Sequence, residues 1–306
     1  MKYFFCILLL ASSLGLHAQD DGQPFILTLG IAQDGGYPHM GCTKPCCTMA
    51  WANDSMKRWV VCLALVDPAT KKWWLFEATP DIKEQLHFFQ TLTHGQYHFL
   101  PDGIFVTHAH IGHYTGLMEL GREVMSTNNL PVYALPKMKT YLETNGPWSQ
   151  LVSLHNIALQ PLQADSPIRL TDKITVTAFT VPHRDEYSET AGFRINTGNK
   201  KYLFIPDINK WDKWDRSIVN EVKNVDIAFL DATFYDSNEL PGRNMSTVPH
   251  PFVNETMQLF DKESAATKAK VCFIHFNHTN PLLWDTTKQQ EVEKAGFKFA
   301  KQGKEY

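Results

Sequence analysis

The sequence has no surplus of positive charge. Lys and Arg total 29 against 32 Asp and Glu, a formal net charge of −3. Nucleic-acid binding needs a basic excess to neutralise phosphates, so no nucleic-acid partner is expected. Beyond its first eighteen residues the chain has no long apolar run, and a bilayer-spanning helix needs about 20 apolar residues. It lacks the G-x-S-x-G elbow of serine hydrolases, a P-loop and a G-x-G-x-x-G dinucleotide fingerprint. Glycine and proline number 17 each among 306 residues, with no period and no low-complexity stretch, which excludes collagen-like and disordered classes. Hydrophobic residues make up 43 %, with eight Trp and 19 Phe, enough to fill a sizeable core.

Residues 1–18 read as a secretory signal peptide. Lys2 precedes an apolar run over 3–10, which thins into small residues up to Ala18. Gly15 and His17 interrupt the run, which argues against a membrane anchor. Cleavage after Ala18 would leave one domain, 19–306, periplasmic or secreted and free of the membrane. Export changes how the cysteines are read. Cys42, Cys46 and Cys47 cluster in Gly41-Cys42-Thr43-Lys44-Pro45-Cys46-Cys47. Three readings stay open: a small structural metal site, a Cys42 disulfide to Cys46 or Cys47, or free thiols. Cys62 and Cys272 lie in apolar strand-like runs as buried bystanders.

Strand-like runs, rich in β-branched and aromatic residues, cover 25–31, 59–66, 73–77, 104–107, 174–181, 201–205, 227–231 and 271–275. Helix-like stretches cover 80–91, 115–125, 136–145, 216–222, 252–261 and 286–295. Strands dominate early and alternate with helices later, which predicts sheets covered by helices in one compact α/β unit.

The chemistry collects where strands stop. Ile104-Phe105-Val106-Thr107 runs directly into His108-Ala109-His110-Ile111-Gly112-His113, three imidazoles within six residues. Such a turn can aim them at one point, and neutral imidazole is the commonest zinc ligand. His183 follows the strand at 174–181, Asp207 the one at 201–205, and Asp231 and His275 close the last two. Singly, each is as readily a helix cap. Together they supply imidazoles and carboxylates at strand carboxyl ends, where ligands gather in α/β folds. His250, between Pro249 and Pro251, is either a plain loop histidine or a cleft residue. A zinc ion on such ligands keeps an open position and lowers its water's pKa to about 7. The hydroxide would attack an ester, lactone, amide or phosphodiester of a small-molecule substrate, with His250 or a carboxylate protonating the leaving group. The same donors suit iron and dioxygen chemistry, and a scaffold that has lost catalysis would bind without turnover.

The segment from His108 to His113 resembles the H-x-H-x-D-H signature of the metallo-β-lactamase superfamily. That resemblance implies an αββα sandwich in a single domain, with one or two catalytic ions in the cleft between the sheets. LGIAQDGGYPHMGC (29–42), EATPDIKEQL (77–86), THAHIGHYTGLMELGRE (107–123), DIAFLDATFYDSNEL (226–240) and IHFNHTNPLL (274–283) resemble the coenzyme PQQ biosynthesis protein B (PqqB-like) family over nearly the whole mature chain. The resemblance implies that Cys42, Cys46 and Cys47 hold a structural zinc. It implies that His108, His110 and His183 bind a first catalytic Zn2+, that Asp207 bridges, and that His113 and His275 bind a second. The placement of His250 is similar to that of a histidine in the tRNA-maturation nuclease branch that helps the leaving group depart. The PqqB-like resemblance also implies an alternative, an iron-dependent oxygenase acting on a tyrosine-containing peptide or small precursor. Two positions depart from the family patterns. The cysteine spacing is C-x-x-x-C-C rather than C-x-C-x-x-C, and Gly112 stands where the superfamily has a metal-binding aspartate. Asp34, Asp231 and His278 are the residues at hand to fill that gap, and Gly112→Asp is expected to raise second-metal occupancy.

Overall fold

The structure, a computed structural model, describes residues 22–306; residues 1–18, expected from the sequence to be a signal peptide, lie outside the described residues. The first sheet is ordered β1 (Phe25–Gly30), β2 (Cys62–Asp67), β3 (Lys72–Phe76), β4 (Gly103–Phe105), β5 (Leu130–Ala134), β6 (Ile157–Pro161). The second is ordered β7 (Pro167–Arg169), β8 (Thr175–Val181), β9 (Thr190–Asn196), β10 (Lys201–Ile205), β11 (Ile227–Asp231), β12 (Val271–Ile274), β13 (Lys298–Phe299). The helices, in chain order, are α1 (Pro45–Ala52), α2 (Ile82–Leu92), α3 (Ile111–Tyr114), α4 (Pro136–Thr144), α5 (Trp148–Ser153), α6 (Ile218–Lys223), α7 (Val253–Leu259), α8 (Ala265–Lys268) and α9 (Thr286–Lys294).

The period-two alternation of the strands builds the layers. In β2 and β3, Cys62, Ala64, Val66, Trp73 and Leu75 pack with Ile82, Leu86 and Phe89 of α2 and Met138 and Leu142 of α4. Their neighbours Leu63, Leu65, Trp74 and Phe76 point the other way, into the larger core. There the Phe76 ring stacks on Phe105 at 4.7 Å and meets Phe193 and Phe204 of the second sheet edge-on at 5.3 and 6.2 Å. Such pairs add about 0.5–1.5 kcal/mol each beyond area burial. Ile218 and Val222 of α6, Val253 of α7 and Val292 of α9 join the same core. The result is the expected αββα sandwich.

Topology gathers the strand ends. Strands β3 to β6 run parallel, as do β10 to β13, and β8 regains that direction through the antiparallel β9. The residues after β3, β4, β8, β10, β11 and β12 therefore face one cleft, the place where α/β sheets bind ligands. A further connection locks the two sheets at this edge. Ala32 pairs with Val60 beside the first sheet and with Phe276 beside the second.

The expected strands are all present, with ends moved by up to three residues. Five others escaped the sequence pattern: β5, β6, β7, β9 and β13. Gly192 sits mid-strand in β9, where a Cβ would meet the Phe179 ring at 2.5 Å, so packing demands a residue that reads as a strand breaker. The region 115–125 is not one α-helix; it is a 3₁₀ turn over Thr115–Leu120 followed by loop. Helix α1 was hidden by its cysteines, although Pro45 starts it in the position proline favours.

Candidate metal centre

His108 and His110 leave the end of β4 on one turn, before α3 begins at Ile111. Each ring is turned by a partner. Thr107 Oγ1 lies 2.8 Å from His108 Nδ1, and His110 Nε2 lies 2.9 Å from Glu186 Oε2. With Nδ1–H donated to the hydroxyl and Nε2–H to the carboxylate, the lone pairs left are His108 Nε2 and His110 Nδ1. Those two atoms are 2.8 Å apart, and His183 Nε2 lies 3.2 Å from His110 Nδ1. Asp207 Oδ2 completes the group, 3.5 Å from His108 Nε2 and 3.2 Å from His183 Nε2. Donor atoms around a tetrahedral zinc stand about 3.3 Å apart. Bare lone pairs at such distances repel unless a cation lies among them, so the donor set fits a metal ion.

A second group adjoins the first. His113 Nε2 is 3.2 Å from Asp34 Oδ1 and 3.7 Å from Asp207 Oδ2, and His275 Nε2 is 4.0 Å from Asp34 Oδ1. Asp34 Oδ1, His113 Nε2 and His275 Nε2 are buried and make no hydrogen bond among the described residues. Buried polar atoms left this way are costly unless something else satisfies them. Their rings, too, are held from behind. His113 Nδ1 faces Glu77 Oε1 at 3.1 Å, and Glu77 Oε2 accepts from the Thr107 amide at 3.2 Å. Thr233 Oγ1 donates to Asp231 Oδ1 at 2.7 Å, so it accepts from His275 Nδ1 at 2.9 Å and leaves Nε2 bare. Both Glu77 and His275 adopt left-handed backbone, φ 81° and 68°, a strain that clusters at functional sites. Glu77 was missed from the sequence; a glutamate closing an apolar strand was its one signal.

His250 stands beside both groups. Its Nδ1 is 2.9 Å from Asp231 Oδ2 and 3.1 Å from Asp207 Oδ1. Burial disfavours its charged form, but Asp231 and Asp207 outweigh this and push its pKa up to about 10. Burial likewise works against ionised Asp207 and Asp34. The surrounding imidazoles prevail, His183 and His250 for Asp207, and His113 and His275 for Asp34. Both carboxyls end well below the usual range. His108 is driven the other way, first by burial and then by His113, so it stays neutral and available as a ligand.

The candidates for the gap at Gly112 separate. Asp231 is fully used by Thr233, His250 and the Ile208 amide. His278 lies elsewhere, within 4.8 Å of the Cys42 and Cys47 sulfurs. Asp34 alone reaches the second group. Around the cysteines, α1 carries Cys46 and Cys47 inward; the His39 amide donates to Cys47 Sγ at 3.4 Å, and the His39 ring stacks on His278 at 4.4 Å. None of the three cysteines is in a disulfide. Burial, with the neighbouring sulfurs, pushes the Cys47 thiol up to about 12, and burial, with His39 and Lys44, pulls His278 down to about 4. Cys42, Cys47 and His278 thus form a group that could hold a metal ion, and Cys46, expected as a ligand from the sequence, is not part of it. Arg184 lines the cleft with Lys44, Arg243 and His250 around about 470 Å3. Among the described residues, no helix is long and apolar enough to cross a membrane.

Known proteins share this architecture. Coenzyme PQQ synthesis protein B of Gluconobacter oxydans is 26 % identical over 301 residues, covering 91 % of this chain and 96 % of its own. The crystal structure of Zn2+-bound PqqB from Methylobacterium extorquens superposes with a TM-score of 0.74 at 23 % identity, covering 92 % of this chain and 99 % of that one. A diphosphatase from the PhnP family superposes at 0.65 and 19 % identity, covering 93 % and 96 %. The family model described as the beta-lactamase superfamily domain matches residues 72–276. The chain belongs to the beta-lactamase superfamily.

Proposed function

We propose that this protein is an exported, metal-dependent hydrolase of a small anionic ester, with a phosphodiester as the leading substrate class. One observation carries the reading: the ligating atoms of His108, His110, His183 and Asp207 lie within 4.8 Å of one another, with the His108 and His110 rings oriented from behind by Thr107 and Glu186. These four residues would hold the metal ion, and a zinc ion there would supply an activated water and a Lewis acid for the scissile carbonyl or phosphoryl oxygen.

The chain's own groups do the rest. Asp207 faces both the first group and the second, and so couples them. His250 is fixed through Nδ1 by two carboxylates, which keeps its ring protonated and leaves Nε2 to hand a proton to the departing oxygen. Among the described residues, the cleft beside it is lined by Lys44, Arg184 and Arg243 and by no carboxylate; Arg184 is only loosely paired, 3.7 Å from Glu186. Three cations favour a substrate with negative charge next to the bond that breaks. The diphosphatase superposing on this fold is consistent with that preference.

The test is a panel of chromogenic phosphodiesters, neutral esters and lactones, given to zinc-loaded and metal-stripped protein. Turnover of phosphodiesters by the loaded form alone, with KM raised about tenfold or more in Arg184→Ala and Arg243→Ala, is expected. Equal preference for neutral esters would overturn the substrate class. No turnover of any of them by the loaded protein would overturn the hydrolase.

A further inference from the structure

We propose that Asp34 supplies the carboxylate of the second metal group in place of the residue at 112, and that a side chain at 112 and Asp34 exclude one another. The proposal rests on the metal-centre reading above and goes further by assigning the second ion's ligands to Asp34, His113 and His275, with Asp207 shared.

Geometry carries it. An ideal Cβ at Gly112 would lie 2.2 Å from Asp34 Oδ1, 2.6 Å from its Cα and 2.9 Å from its Cγ. No side chain, not even alanine's methyl, fits there while Asp34 keeps its place. Asp34 therefore occupies the volume that a side chain at 112 would enter. Its Oδ1 is buried without a hydrogen bond, 3.2 Å from His113 Nε2 and 4.0 Å from His275 Nε2. Its other oxygen has one weak contact, with Gln33 Nε2 at 3.4 Å. Apart from the His113 and His275 rings and the weak bond to Gln33, no side chain holds Asp34 there, and three ligand atoms without hydrogen bonds converge on one point.

The fold explains how residue 34 arrives. Ala32 pairs with Val60 on one side and Phe276 on the other, and the Gln33 amide donates to the Phe276 carbonyl at 2.8 Å. The Gly36 amide then closes a turn on the Gln33 carbonyl at 2.7 Å. Asp34 is set at the tip of that turn, against the histidine that follows β12. A glycine at 112 and an aspartate at 34 together give one carboxylate in one place. The vacancy in the histidine motif is therefore filled, which removes the main reason to read this chain as a decayed scaffold.

The test is zinc titration of metal-stripped full-length protein, read by calorimetry and by elemental analysis after dialysis, for wild type, Asp34→Ala, Gly112→Asp and Asp34→Gly/Gly112→Asp. Asp34→Ala should lose one zinc per chain, its affinity falling by more than the 10–100-fold typical of an outer partner. Gly112→Asp alone should lower occupancy rather than raise it, and the double exchange should recover it. Asp34→Ala also tests the idea if Gly112→Asp fails to fold, because it opens space rather than filling it and removes only the weak bond to Gln33 and the contacts with the His113 and His275 rings. Unchanged zinc number and affinity in Asp34→Ala would overturn the assignment. Wild type that binds no zinc at all would instead sink the metal-centre reading beneath it.

Discussion

The two ligand groups of the cleft adjoin through Asp207, yet they are assembled in different ways. The first takes His108 and His110 from a single turn and needs only His183 and Asp207 from the opposite sheet. The second takes Asp34, His113 and His275 from the beginning, middle and end of the chain. The first group rests on three strand ends, those of β4, β8 and β10, with two of its donors fixed by one turn. A group built from distant segments depends on the sheets being locked together, here through Ala32. The second should therefore be the more easily lost.

The largest effect that would break this contrast comes from the first group. His108→Ala or His183→Ala should lose the ion there and drop turnover to background, read by metal content and phosphodiesterase rate together; retention of full metal content in both would dissolve the difference between the groups. Next comes Glu77→Gln, which leaves the first four donors untouched but frees the His113 ring. It should weaken the second ion by about 10–100-fold and barely change the first, as a two-step zinc titration would reveal. Third, Cys47→Ser should remove a zinc that belongs to neither group. It should also lower the thermal midpoint by about 5–10 °C, at roughly 2–4 °C per kcal/mol for a chain somewhat smaller than this one. An unchanged midpoint would mean that the thiols hold nothing.

The smallest effect concerns Glu239, which flanks the cleft and bonds to Thr279 and the Tyr235 amide. Burial raises its pKa to about 7 from 4.5, with Asp236 adding to the rise. The folded state thus favours the protonated acid. Its contribution to stability is complete below pH 4.5 and is lost as pH climbs through 7. Urea unfolding of Glu239→Gln should show a stability gain over wild type at pH 8 that vanishes at pH 4.5; a gain of the same size at both would refute the sign.

The same contrast explains what the sequence revealed. Strand runs such as 201–205 and 227–231 and the His108–His113 turn announce themselves through local pattern, and so does Asp207 at a strand end. His183 and His275 were legible for that reason as well. Glu77 and the role of Asp34 were not, because each depends on what another part of the chain leaves empty or unsatisfied. Gly112 reads as a loss until the turn at 33–36 is placed against it. Strand β9 was missed for a related reason: Gly192 obeys the Phe179 ring rather than strand propensity.

The most direct measurement is anomalous scattering at the zinc edge from crystals of the zinc-loaded protein. Two adjacent peaks are expected in the cleft, one enclosed by His108, His110, His183 and Asp207 and one touching Asp34, His113 and His275. A single cleft peak, or a second peak out of reach of Asp34, would contradict the two-group arrangement.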